Sequence, residues 1–79
     1  MAIRQICAPL PGIFYRRPSP DAAMFIEQGA TLQAGGCVGV IEAMKNFFQI
    51  TDDEGGTVLR FLVTDGESVD MDDPIAEIE

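Results

Sequence analysis

The stretch from Gly29 to Glu42 aligns without gaps on the stretch from Gly66 to Glu79. The two glycines match, the aliphatic residues coincide at Leu32/Val69, Val38/Ile75 and Ile41/Ile78, and both copies close on glutamate. Upstream, Pro11-Gly12-Ile13-Phe14 matches Gly55-Gly56-Thr57-Val58, a glycine followed by β-favouring residues. A repeated unit this short cannot bury its apolar face alone, so the copies must pack on each other. The expected molecule is therefore two similar half-domains around one core, meeting near Lys45, with Gly29 and Gly66 opening equivalent turns.

The halves differ at one place. Gly12 and Gly29 are 17 positions apart, whereas Gly56 and Gly66 are 10 apart, so the first half holds seven extra residues. They fall within residues 15–25, whose Pro18 and Pro20 cannot serve an interior strand. This segment reads as an inserted loop.

Residues Cys37 to Ile41, Phe47 to Thr51, Thr57 to Val63 and Ile75 to Ile78 are short runs rich in β-branched or aromatic residues, bounded by Gly, Asp or Pro. Helical periodicity is weak, and only Asp21 to Gln28 offers a turn of helix. Short strands separated by turn residues predict an all-β sandwich or flattened barrel. With 79 residues the chain forms a single domain, 1–79, with no room for a large cleft.

The runs on either side of Met44-Lys45-Asn46 form a hairpin whose tip reverses within those three residues. Tight hairpin turns need positive φ, which asparagine tolerates better than most, so Asn46 is the expected carrier. Lys45 is the only lysine in the chain. At such a tip its amine projects into water, where one enzyme can find it and others can receive it.

The charge pattern narrows the function. Thirteen Asp and Glu stand against five Lys and Arg, for a net charge of −8, with ten acids and one base in residues 46–79. Such a surface repels phosphate backbones, and Arg16-Arg17 is too small a basic patch for nucleic acid. There is no apolar run of membrane-spanning length and no signal-peptide layout, so a cytoplasmic address and no membrane partner are expected. The chain has no histidine, which removes His-based zinc sites and acid/base schemes. Asp52-Asp53-Glu54 and Asp70, Asp72, Asp73 do not follow the spacing of a cation loop and read as a solvated acidic face, so no metal site is expected. Gly35-Gly36 and Gly55-Gly56 read as turns rather than phosphate loops. Catalysis by this chain alone is not expected. Cys7 and Cys37, each among apolar neighbours, read as small buried hydrophobes.

Glu42-Ala43-Met44-Lys45 resembles the attachment signature of the biotinyl carrier domains, and the similarity runs from Ala8-Pro9-Leu10-Pro11-Gly12 to Glu79. Within the insertion, Tyr15, Arg16, Arg17, Pro18, Ser19, Pro20 and Asp21 resemble the protruding thumb of the biotin carboxyl carrier proteins of acetyl-CoA carboxylase. The resemblance implies a barrel of two four-stranded antiparallel sheets with a quasi-twofold axis and the lysine on a hairpin at one end. It implies that a biotin protein ligase joins biotin to Lys45 and a biotin carboxylase loads it using ATP and bicarbonate. A carboxyltransferase then passes the carboxyl group to an acyl-CoA, most simply acetyl-CoA. It also places Glu42, Ala43 and Met44 in ligase recognition, with Asp70 as a second acidic contact or a solvated turn carboxylate. The thumb contacts biotin or a partner enzyme, or is a tolerated insertion.

One position departs from the family. Asn46, followed by Phe47-Phe48, stands where methionine or leucine is usual, which removes an apolar contact beside the lysine and implies a slower or dedicated ligase. Two alternatives share the fold. A lipoyl carrier usually shows Asp-Lys-Ala at the tip, where this chain has Met44 before the lysine; an interaction module would leave Lys45 unmodified.

Overall fold

The computed structural model describes residues 2–19 and 21–79. Its eight strands are β1 (Arg4–Cys7), β2 (Gly12–Tyr15), β3 (Thr31–Leu32), β4 (Gly36–Ala43), β5 (Asn46–Asp52), β6 (Gly56–Phe61), β7 (Ser68–Val69) and β8 (Pro74–Ile78). They form two four-stranded sheets of order β1-β8-β6-β3 and β5-β4-β2-β7, every pairing antiparallel.

Shifting the sequence from the first half to the second exchanges the sheets: β2 maps on β6, β3 on β7 and β4 on β8. The backbone obeys the same operation. Gly29 N donates to Val58 O at 2.7 Å and Gly66 N to Phe14 O at 2.6 Å, while Gly35 N reaches Asp52 O at 2.7 Å and Asp72 N reaches Ala8 O at 2.8 Å. The aliphatic pairs picked out by the repeat are all buried: Val38, Ile75, Ile41 and Ile78 completely, Leu32 and Val69 nearly so. Phe14 and Val58 occupy matching positions at the centre of this core. Truncating Phe14 to alanine there would cost about 3–5 kcal/mol, much of what a domain of this size has.

At the opposite end from the Lys45 hairpin, β1 is tied to the β5–β6 turn. Arg4 donates from Nη1 and Nη2 to the two Asp52 oxygens at 2.9 and 3.0 Å and from Nη2 to Gly55 O at 2.9 Å. A forked guanidinium–carboxylate pair fixes direction as well as charge.

Three expectations need correction. Residues 21–28 contain no helix: Phe25 N donates to Arg16 O at 2.8 Å, closing the insertion as a loop whose ends are pinned before a helical turn can form. Cys7 is exposed, because it alternates along its strand with the buried Ile6 and Ala8 and so points out of the core. Cys37 is half-buried, donates from Sγ to Gly39 O at 3.2 Å, and its thiol pKa is pushed up by burial.

Candidate functional site

The β4–β5 hairpin is the longest ladder in the molecule, running from Gly36↔Asp52 to Ala43↔Asn46. The closing pair leaves two residues, Met44 and Lys45, to reverse the chain, and both take left-handed backbone, with φ of 52° and 67°. This is the twist a two-residue hairpin turn requires. Asn46, the residue expected to supply positive φ, is instead the first residue of β5. Its side chain supports the turn from outside, with Nδ2 donating to Met44 O at 3.4 Å.

A non-glycine residue in this region costs about 1–2 kcal/mol. Two adjacent ones persist only because the strands on either side over-determine the turn. The result is a stiff, strained tip. Met44 is 94% exposed and Lys45 is exposed. The ion pairs among the described residues use Arg4, Arg16 and Arg60, not Lys45. The amine is therefore presented to solvent on a rigid mount.

The neighbouring strands place the other candidate residues. Glu42 pairs with Phe47 across the hairpin and with Ile13 of β2 on its other side. β2 fits this closely to β4 only because position 12 is glycine, since a Cβ there would overlap the carbonyl oxygen of Glu42. Gly12 pairs in turn with Val69, so Asp70, the next residue, lies at the same end of the sheet, one strand beyond Glu42's neighbour. Asp70 is exposed, and its backbone N–H is taken by Asp73 Oδ2 at 2.8 Å. Ala43 is half-buried at the base of the turn.

The inserted loop lies against this hairpin. Arg17, Pro18 and Ser19 form one wall of a groove of about 540 Å³ whose other wall is Glu42 and Phe47. Tyr15 also lines the groove, although it belongs to β2 rather than to the loop. Asp21 is exposed and does not line it; Pro20 lies outside the described residues. The groove offers aromatic and proline surfaces with one guanidinium and two carboxylates, Glu42 and Asp65. Such a lining offers apolar surface together with both hydrogen-bond donors and acceptors.

Arg16 points away from the groove. Its guanidinium carbon sits 4.1 Å from the centre of the Phe61 ring, on the other sheet. The sequence treated Arg16 and Arg17 alike, and their separation follows from β alternation at the end of β2. Two groove residues escaped sequence reasoning. Phe47 was legible in principle, because a two-residue turn places it directly opposite Glu42. Asp65 carried no such signal.

Comparison with known proteins accords with this geometry. The biotin/lipoyl family model described as "Biotin-requiring enzyme" matches residues 4–78, and the chain belongs to that family. Its relatives include the biotin carboxyl carrier proteins of acetyl-CoA carboxylase from Haemophilus influenzae, 40% identical over 91% of this chain and 46% of that protein, and from Nostoc, 38% identical over 98% and 42%. The Pseudomonas aeruginosa carrier protein is 37% identical over 90% of this chain and 46% of its own length. The chain thus spans less than half the length of these relatives. Kluyveromyces lactis urea carboxylase contains the same fold, with a TM-score of 0.80 and 24% identity over the whole of this chain and 6% of that one. No helix among the described residues is long and apolar enough to cross a membrane.

Proposed function

We propose that residues 1–79 form one carrier domain in which Lys45 holds biotin as an amide on Nζ. The observation that carries this reading is the exposed lone lysine on the strained two-residue turn, at the end of a sheet that keeps it from the core. An amine meant for acylation by another enzyme must be unhindered and uncommitted to an ion pair, and Lys45 is both. Biotin bound there would supply a ureido nitrogen able to accept and release a carboxyl group.

The chain's own residues then act as mount and address. Glu42, Ala43, Met44, Asn46 and Asp70 present a surface to a biotin protein ligase, while the thumb and Phe47 form a rim that meets the carried group or a partner enzyme. Biotin carboxylase, using ATP and bicarbonate, and a carboxyltransferase acting on acetyl-CoA are the proposed partners, in the cytoplasm. Tethering keeps the cofactor at high effective concentration at both enzymes, and the catalysis is theirs. Similarity to carrier proteins of acetyl-CoA carboxylase supports this choice of partners.

The test is to produce the chain with a biotin ligase, capture it on streptavidin, and incubate it with biotin carboxylase, ATP and labelled bicarbonate. Retention followed by label on the protein is expected. Absence of retention, with a mass corresponding to lipoate or to bare lysine, would sink the proposal.

A further inference from the structure

We infer that Arg16 is a positioning residue: it fixes residues 17–19 and 21–24 over the lysine-bearing sheet and so sets the gap between Arg17 and Phe47. The inference rests on the carrier reading only for its functional consequence.

Three parts of the fold converge on this one residue. Its backbone N–H donates to Asp65 Oδ1 at 2.7 Å, anchoring the end of β2 to the loop before β7. Its carbonyl accepts from Phe25 N at 2.8 Å, which pinches the intervening loop shut at its base. Its guanidinium lies over the Phe61 ring, and Nη2 reaches Ile26 O at 3.4 Å and a Glu27 oxygen at 3.8 Å. Nε is buried without a partner among the described residues, so the grip comes from Nη2 and the ring face. The side chain is only 17% exposed.

This arrangement gives the loop a defined place. Of the residues in the loop, Ser19 and Ala22 make one further backbone bond, 3.1 Å long, within the loop itself. Without the guanidinium, the return segment 25–27 loses its side-chain tie to the start of the loop. The groove between Arg17 and Phe47 would then vary in width. A lysine in place of Arg16 can keep charge over Phe61 but cannot stack as a plane or fork between Ile26 and Glu27.

The experiment compares wild type, Arg16→Met and Arg16→Lys. Hydrogen exchange on the unmodified chain is read at the hydrogen-bonded amides of Ala22 and Phe25 against those of β4. On biotinylated protein, KM and kcat are read for carboxylation by biotin carboxylase. In Arg16→Met, exchange in the loop should rise about tenfold, the effect of losing roughly 1.4 kcal/mol of local stability, with β4 unchanged. KM should rise several-fold with kcat within about twofold, since misplacing the rim weakens docking and not chemistry. Arg16→Lys should fall between. If Arg16→Met fails to fold, the lysine variant alone carries both readings.

Unchanged loop exchange would overturn the inference, as would uniform loosening of β4 together with the loop, or an unchanged KM beside a faster-exchanging loop. Failure of wild type to become biotinylated would instead strike the carrier reading and leave the exchange result standing.

Discussion

Asp72 holds in the second half of the molecule the position that Gly35 holds in the first, and both adopt left-handed backbone, with φ of 69° and 80°. Each donates its N–H to the equivalent carbonyl, Ala8 O for Asp72 and Asp52 O for Gly35. The repeat has diverged in side chain while keeping the dihedral angle, so the fold depends on the turn and not on glycine as such.

That equivalence predicts a graded response. A Cβ on Gly35 would meet nothing within 4 Å, so Gly35→Ala should cost only its backbone strain, about 1–2 kcal/mol in urea unfolding. Gly35→Asn should cost less, because asparagine tolerates this region. Asp72→Gly should stabilise by about 0.5 kcal/mol, the relief of strain less the entropy glycine loses on folding. Equal losses for Gly35→Ala and Gly35→Asn would contradict the symmetry argument.

Stability should also fall in acid through one pair. Hydrogen bonds from the Arg4 guanidinium hold the Asp52 carboxyl below its ordinary value, opposed by partial burial. Because the folded pKa is the lower one, the stabilisation is complete above the unfolded value of about 3.9 and is lost as pH falls through the folded value. Arg4→Met should therefore lower Tm at pH 7, with the gap to wild type closing below about pH 3.9. A gap that stays constant down to pH 2 would show that Arg4 acts by packing instead.

The tip sets stability against function. Met44→Gly should raise stability by about 1 kcal/mol, since glycine adopts the required φ without strain. It should also slow ligation, because the exposed thioether beside Lys45 is gone. Denaturant midpoints and ligation rates on the same two proteins check this. Faster ligation in the glycine variant would remove Met44 from the ligase surface.

The pattern of what the sequence revealed follows from what each signal encodes. Leu32/Val69, Val38/Ile75 and Ile41/Ile78 were legible as core because burial constrains residue type at both copies, and their repeat defined the paired sheets. The insertion was legible from prolines and a gap. The turn was read one residue late: asparagine has the better intrinsic preference for positive φ, yet the strand register from Gly36↔Asp52 to Ala43↔Asn46 decides which residues lie between the strands. Cys7 misled because its apolar neighbours Ile6 and Ala8 are the buried ones, and strand alternation puts the residue between them outside. The opposite directions of Arg16 and Arg17 continue the alternation of β2, but both lie just past its end at Tyr15, where residue type alone gives no reason to extend the strand pattern.

The central claim is that Lys45, held out by its strained turn, is the residue acylated. Intact mass and peptide mapping of wild type and Lys45→Arg, each produced with a biotin ligase, test it directly. The account predicts one biotin on wild type, mapped to Lys45, and none on a Lys45→Arg protein with unchanged Tm. Unmodified wild type, or biotin retained in Lys45→Arg, would contradict it.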